Sequence, residues 1–406
     1  MIQLFKMAFR DLGRNRRRSF FSALALAIVL ALLLLMAGVI AGELRQSMDS
    51  SIRLQSGHLQ VRAKTYDENK TSLAWEDLVD NPGQVTAQIA SLAPVQVATP
   101  RLYASGIVAT GDNSLGVRVI GIDPSSPANA PFQDGMLSGE FLKADDTQGI
   151  LVGKPLADKL GLNTGDRVNL LVNTSNGDVD QQPFFIRGIY TTHTPGFDQS
   201  AVFMPLAKAQ AITQTQNHAT LVFVLLKDRD QTGAVANALS TTQYQVVTWE
   251  QTNTLLLQFN QFSRDYMALI YLIFLGIAAT VIINTLIMSV FERTREIGIL
   301  TAIGMRSNSI MGMFLAESSL LGAGGILMGL VLGAIGISLF NINGFSVADF
   351  GVTGIALGDR IFAYVVPSDV ITLTILSFVI ALLAGLYPAI LAARMEPVEA
   401  LRGGKK

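Results

Sequence analysis

The sequence predicts an α-helical membrane protein with four transmembrane helices (1 + 3) and a large α+β extracytoplasmic domain inserted between helices 1 and 2. Three observations lead there. Half of the 406 residues are hydrophobic and only 15% are charged, with a mean hydropathy of +0.41, too apolar for an ordinary soluble chain. Four stretches are long enough to cross a hydrocarbon core of about 30 Å, which takes roughly 20 apolar residues in a helix. Between the first two of them, residues 43–264 alternate short apolar runs with turn residues.

Before the first span, Ile2, Phe5, Phe9 and Leu12 recur at helical spacing, with Lys6, Arg10 and Arg14 turned to other faces. Residues 1–18 are therefore expected to form a cytoplasmic amphipathic helix lying against membrane lipids. The first span, 19–42, includes 21 uncharged residues at 20–40. Arg14, Arg16, Arg17 and Arg18 precede it as in a signal peptide, but a cleaved apolar region is usually about 7–15 residues long. This one is longer and continues into a polar helix, so it reads as a retained anchor. The second span, 265–291, has 25 uncharged residues from Met267 onward; the third, 309–340, carries Glu317 near its start and then 23 uncharged residues; the fourth, 370–393, has no charge.

Lys and Arg near span ends set orientation. Six lie in residues 1–18; Arg293, Arg295 and Arg306 lie in 292–308; Arg394, Arg402, Lys405 and Lys406 lie in the tail, 394–406; the 341–369 loop has only Arg360. Both termini and 292–308 are thus expected on the cytoplasmic side of a cell inner (plasma) membrane. Residues 43–264, with 16 basic and 21 acidic side chains, and the 341–369 loop are expected outside.

In the outside domain, β-branched and aromatic residues between Gly, Asn, Asp and Pro mark strands at 58–63, 96–110, 116–122, 149–152, 167–173, 184–190, 201–204 and 221–226. Helical patterns fall at 84–92, 155–160, 206–212 and 233–239, giving the α+β class. The flanks 43–55 and 252–266 read as helical stalks running into spans one and two.

Several function classes are excluded by residue type. The absence of Cys removes disulfides, iron–sulfur clusters, thiolate zinc sites and a cysteine nucleophile. A net charge of −1 gives no reason to expect nucleic acid as a partner. His58, His193 and His218 are scattered without metal-ligand spacing, and the Asp145-Asp146 and Asp178-x-Asp180 pairs sit in polar loops. Gly153-Lys154 is followed by Pro155 and lacks the earlier Gly of a phosphate-wrapping loop. No catalytic, cofactor-binding or metal residue is expected here, so any ATP would be bound by another chain.

The most informative segment follows span two: Glu292, Arg293, Arg295 and Glu296 form a mixed-charge cluster, followed by Ile297, Gly298, Ile299, Leu300, Ala302, Ile303, Gly304 and Met305. A bare topology loop needs no apolar residues. A short helix with Ile297, Leu300 and Ile303/Gly304 near one side and charges around them suits docking into a groove on a cytoplasmic partner.

This run closely resembles the coupling segment of ABC-transporter permeases of the MacB/FtsX/LolCDE superfamily. Leu386-Tyr387-Pro388-Ala389 with the tail Ala392–Arg402 is similar to that family's closing motif. In the outside domain, Val119–Pro124, Gly149–Lys154, Leu160–Val168, Arg187–Tyr190 and Phe203–Leu206 look most like the lipoprotein-releasing (LolC/LolE-type) permease subunits. The resemblance covers essentially the whole chain. It implies a second permease, the same chain or a paralogue, two copies of a separate ABC ATPase that binds ATP and Mg, and ATP-driven closing that pushes the 292–308 coupling helix. It also implies an extracytoplasmic carrier engaged by a hairpin near 173–182, which is a short loop here.

The spans offer no polar pathway, which transporters of ions normally mark with intramembrane ionisable groups. The expected cargo is therefore a lipoprotein or similar amphiphile extracted from the outer leaflet, with contacts at Leu34, Met36, Val39 and Ile40 on span one and Met267, Ile270, Tyr271 and Phe274 on span two. Lipid-facing or interhelical packing explains the same eight residues. Glu317 suits snorkelling or capping near the cytoplasmic end, or an active coupling contact. Asn284 is expected to bond a neighbouring helix, and Gly325, Gly329 and Gly333 to let helices approach closely. Pro388 suits a hinge or an end to span four. Peptide or antibiotic export, and non-transporting mechanotransmission to an extracytoplasmic hydrolase or sensor, are the alternatives.

Overall fold

The computed structural model describes residues 2–67, 73–111, 113–240, 243–346 and 360–396, with the backbone alone at 2–5. The closing motif from residue 397 onward lies outside the described residues.

Along the chain, α1 (Ile2–Arg14) is followed by α2 (Arg16–Ser51), which passes into one π-helical stretch at Ile52–Ser56. Then come β1 (Leu59–Ala63), β2 (Val79–Asp80), α3 (Pro82–Ala90), β3 (Val95–Thr110), β4 (Asn113–Ile122), α4 (Ala130–Asp134), β5 (Met136–Gly139) and β6 (Gly149–Gly153). These are followed by α5 (Lys154–Leu160), β7 (Arg167–Asn173), β8 (Val179–Tyr190), α6 (Pro195–Ser200), β9 (Ala201–Pro205), α7 (Leu206–Ile212), β10 (His218–Ala219) and β11 (Leu221–Leu226). The remaining elements are α8 (Thr232–Leu239), β12 (Tyr244–Thr248), α9 (Trp249–Thr252), α10 (Thr254–Glu292), α11 (Thr294–Ala302), α12 (Ser307–Asn343) and α13 (Pro367–Ala393).

The chain divides into two compact units, one of residues 1–43, 260–345 and 361–406, the other of 44–259 and 346–360. In the first, four helices are long and apolar enough to cross a membrane: Arg16–Ser56, Thr254–Glu292, Ser307–Asn343 and Pro367–Ala393. On α10, Leu275, Ala278, Ile282 and Leu286 recur every three or four residues and are buried against Leu26, Leu30 and Leu33 of α2, Leu321 of α12 and Ala381 of α13. Its other face, with Leu272, Ile273, Ile277 and Met288, is exposed.

In lipid, helices associate through close fit rather than through the hydrophobic effect. The α2–α12 seam shows this at Gly325, Gly329 and Gly333. A Cβ on Gly325 would lie 2.8 Å from the Ala23 carbonyl oxygen, one on Gly329 3.0 Å from that of Ala27, and one on Gly333 3.0 Å from Leu34 Cδ1. On α12 and α13, Ser318 Oγ donates to the Ala381 carbonyl at 2.6 Å, and a Cβ on Gly385 would meet Ser318 at 2.4 Å. The helix α13 runs through Pro388 to Ala393, so this proline does not end it.

A non-helical strap crosses α2 at a second glycine pair, Gly38 and Gly42. The Tyr364 amide donates to the Gly38 carbonyl at 2.7 Å, and a Cβ on Gly42 would fall 1.7 Å from the Phe362 carbonyl oxygen. Asn341 fixes the strap by donating to the Ala363 carbonyl (2.9 Å) and accepting from its amide (2.7 Å).

The second unit is built on a ten-stranded sheet in the order β12-β1-β11-β3-β4-β9-β6-β8-β5, with β7 bridging β3 and β8. Most pairs are antiparallel; β4–β9 and β6–β8 are parallel. Successive side chains of a strand point to opposite faces, and here both faces are covered. Val202 and Met204 of β9 join Ile150 and Val152 of β6 in one core, with Leu156 of α5 and Ala209 of α7. Ala201 and Phe203 join Leu151, Phe132 and Tyr190 in another. That is why β6 and β9 read as uninterrupted apolar runs.

The two chain passages into this unit are tied together. Ser51 donates to Asn253 Oδ1, Asn253 Nδ2 donates to the Trp249 carbonyl at 2.8 Å, and the fully buried Arg101 donates to the Leu54 carbonyl at 2.8 Å while its guanidinium lies 3.7 Å over the Phe223 ring. His58 Nδ1 accepts from the Leu226 amide at 2.9 Å. Burial, with Arg229's charge, pushes its pKa down, so it is a neutral structural side chain.

Candidate functional site

The charged motif after span two folds into α11. The helix α10 stops at Glu292, Arg293 takes a non-helical conformation, and the Thr294 hydroxyl caps the preceding carbonyls of Val290 and Phe291. At its other end the Gly304 amide bonds the Thr301 carbonyl and the Met305 amide bonds the Leu300 carbonyl, both at 3.0 Å. This is the paired closure that requires a left-handed residue after the helix. Gly304 supplies it at φ +96°.

On this short helix Ile297 (1% exposed) and Gly298 face inward, among Val290, Ile310, Met313, Phe314, Ala389 and Ala392. Leu300 and Met305 are half-buried, whereas Arg295, Ile299, Ala302, Ile303 and Gly304 are exposed, as is Phe291. The sequence grouping of Ile297, Leu300 and Ile303 on one side is thus corrected. A rotation of about 100° per residue carries Ile297 into the protein's own core and places Arg295, Ile299, Ala302 and Ile303 together on the outer face.

Of the charged cluster, Arg293 alone is turned inward. Arg293 is 3% exposed and its Nη1 lies 2.8 Å from Asp11 Oδ2 of α1, an ion pair made by proximity rather than by an aligned hydrogen bond. The same nitrogen is 3.9 Å from Glu317 Oε2 of α12. Glu317, 4% exposed, accepts from Ser289 Oγ at 3.3 Å and so lies inside the protein rather than snorkelling out of it. Glu292 accepts from Arg18 (2.8 Å) and Asn15 (2.9 Å), and Glu296 pairs with Arg14 at 2.7 Å. Exposed pairs of this kind are screened by solvent and contribute little to stability. Removing one partner of a buried pair costs roughly 3–5 kcal/mol. A cavity of about 280 Å³ opens beside the cluster, lined by Met7, Arg10, Asp11, Ile299 and Leu300.

The other sequence-expected residues do not gather into one site. Leu34 is buried against Gly333. Met36, Val39, Ile40, Met267, Ile270 and Tyr271 are half-buried, and Phe274 is exposed. Asn284 lies exposed on α10, and its side chain makes no hydrogen bond to another described residue. Sequence reasoning missed Asp11 and Asn341; both are polar residues beside apolar runs, and that was the available signal. Among the described residues no group of three His, Asp or Glu is arranged to hold a metal ion.

Four helices long and apolar enough to cross a membrane, with a sheet unit that matches a periplasmic domain, define a multi-pass membrane protein with an extracytoplasmic domain. Residues 19–242 match the MacB-like periplasmic core domain and residues 268–397 the FtsX-like permease C-terminal. The chain belongs to the MacB/FtsX/LolCE family of ABC-transporter permeases. It is similar to the lipoprotein-releasing system transmembrane protein LolC of Xylella fastidiosa, 27% identical across 66% of this chain and 66% of that protein. Similarity to LolE of Haemophilus influenzae is 25% identity across 94% of this chain and 93% of that protein. The macrolide export ATP-binding/permease protein MacB of Acinetobacter baylyi is 24% identical across 98% of this chain, which spans 59% of that protein's length. The helix α1 lies outside both family matches.

Proposed function

We propose that this chain is the permease subunit, without its own ATP site, of a transporter that extracts acylated lipoproteins or similar amphiphiles from the outer leaflet of the inner membrane. Two copies of a separate ATPase bind ATP and Mg, and a second permease, the same chain or a paralogue, completes the membrane part. The chain takes the 1 + 3 arrangement, with both termini and α11 on the cytoplasmic side and the sheet domain outside. Closing of the ATPases pushes α11 and the spans joined to it, and the outer domains close over the cargo.

The observation that carries this reading is the outer face of α11. Ile303 is 80% and Ile299 44% exposed on a helix and its cap that are packed from behind by Ile297 and closed by Gly304. Apolar side chains displayed next to a charged residue on a short, fixed helix fit a partner's groove. The lipoprotein cargo is supported by the names and coverage of the LolC and LolE relatives. It is supported too by spans two and four, which carry no charged side chain between 267 and 291 or 370 and 393. The β7–β8 turn, 174–178, is short, so the reading does not depend on a soluble carrier.

The test is to purify the chain with the ATPase encoded beside it and measure ATP turnover with an acylated lipoprotein and with its non-acylated form. Stimulation by the acylated form alone is expected. Turnover indifferent to both would overturn the cargo assignment and favour peptide export or mechanotransmission.

A further inference from the structure

Asp11, Arg14, Asn15 and Arg18 recur at the spacing of one helix face, although a turn at Asn15 separates α1 from α2. All four meet the charged half of the α11 motif: Asp11 reaches Arg293, Arg14 reaches Glu296, and Asn15 and Arg18 share Glu292. Three of the motif's four charges, Glu292, Arg293 and Glu296, are therefore engaged within the chain and do not form a free rim for a partner.

We propose that α1 is a second coupling element, clamped ionically to α11, and that Asp11 is the positioning residue through which a stroke on α11 is passed to α1 and on to α2. The inference rests on the ATP-driven reading above and names which residues distribute the stroke. The clamp has one largely buried ion pair, Asp11–Arg293, and two more exposed ones. The buried one gives it direction. Arg293 sits between α10 and α11, so its guanidinium reports movement of either helix, and it is held from opposite elements by Asp11 of α1 and, at longer range, Glu317 of α12. A helix fixed only by its apolar face could slide; Ala8 is fully buried and Leu12 partly so, but neither fixes register along the axis. Charge pairs at residues 11, 14 and 18 do fix it. The consequence is that the spans on both sides of the outer domain, α2 and α10, are driven from one base.

The chain has no Cys, so single cysteines report cleanly. A mobility-sensitive spin label is placed at Lys6→Cys, exposed on α1, or at Ser307→Cys, exposed where α12 begins. Spectra of the ATPase-bound complex are compared without nucleotide and after trapping with ATP and vanadate. Both labels are expected to respond in the otherwise unchanged chain. Asp11→Asn is expected to keep the complex and the response at 307 while reducing that at 6 to below about one-fifth. The charge exchange Asp11→Arg/Arg293→Asp is expected to restore at least half of it, which a merely structural role for Asp11 would not do. If Asp11→Asn fails to fold, Arg14→Gln/Arg18→Gln, at the exposed Arg14 and half-buried Arg18, carries the same comparison. An undiminished response at 6 in a folded variant, or no restoration by the exchange, overturns the clamp alone. No ATPase bound, or no response at 307 in the otherwise unchanged chain, overturns the ATP-driven reading and the clamp with it.

Discussion

Ile297 and Ile303 stand six residues apart on one short helix and its cap, and they meet opposite surroundings: Ile297 is 1% exposed, packed with Val290 and Phe314, whereas Ile303 is 80% exposed. Two isoleucines of one motif thus separate into a fold residue and, on the proposed function, a docking residue.

Substituting each with Asp separates the roles. Ile297→Asp buries a polar group without a partner, at a cost of at least about 2 kcal/mol, and is expected to lower the yield and melting temperature of the purified chain. Ile303→Asp is expected to leave melting unchanged and to cut co-purification with the ATPase at least tenfold. Equal melting losses for the two would remove the distinction.

Gly42 should tolerate no side chain. Its added Cβ would lie 1.7 Å from the Phe362 carbonyl, so Gly42→Ala must displace the strap, and overpacking of this sort typically costs about 1–3 kcal/mol. Gly276, with nothing within 4 Å, is the control. Heating followed by size-exclusion chromatography is expected to show a lower half-loss temperature for Gly42→Ala and none for Gly276→Ala.

The seam through Gly325 and Gly329 predicts a graded series. Ala at Gly329 must push Leu30 and the Ala27 carbonyl by a few tenths of an ångström, and Leu there cannot be accommodated. Stability measured in the same way should fall from Gly to Ala to Leu. A flat series would mean that α2 and α12 do not pack at this seam.

In the outer unit, Arg187 grips Asp146 with two nitrogens, at 3.0 and 2.6 Å. Burial opposes ionisation of this carboxyl, but the Arg187 bonds and the Lys143 amide outweigh it and hold its pKa below the usual carboxylate value. A depressed folded pKa means the pair stabilises fully above the unfolded carboxylate pKa and loses that contribution as pH falls through the folded one. With Arg187 partly exposed, the contribution is about 1 kcal/mol after screening. Asp146→Asn is expected to lower the melting temperature at pH 7 by roughly 2–4 °C and to shrink that difference as pH drops toward 3. A constant difference across pH would show that the charge plays no part.

Elements with their own local signal were legible in the sequence. Arg167–Asn173 and Leu206–Ile212 fall on the expected residues because turn or breaker residues bound them on both sides. The exposed β5 was not, since it belongs to the sheet through its backbone pairing with β8 rather than through apolar side chains. Likewise β4 begins at Asn113, three residues before the apolar run, because the hairpin ladder with β3 carries the polar end along. In α11 the motif was visible but its inner and outer faces were not, since a nine-residue helix with Ile at 297 and 299 gives no clean period. The partners of its charges lay 274 and 282 positions away in the sequence. Gly325, Gly329 and Gly333 announced a helix seam by their spacing, while Gly38 and Gly42 receive a non-helical strap that no periodicity signals.

On the proposed function, a stroke received on α11 moves the outer domain. The most direct test places one spin label on Asn176→Cys, exposed at the β7–β8 turn, and one on the outer domain of the second permease in the ATPase-bound complex. Pulsed EPR distances are then compared without nucleotide and after vanadate trapping. A shorter distance is expected on trapping, and no change when Ile303 is replaced by Asp. Identical distances in both states of the otherwise unchanged complex would contradict that reading.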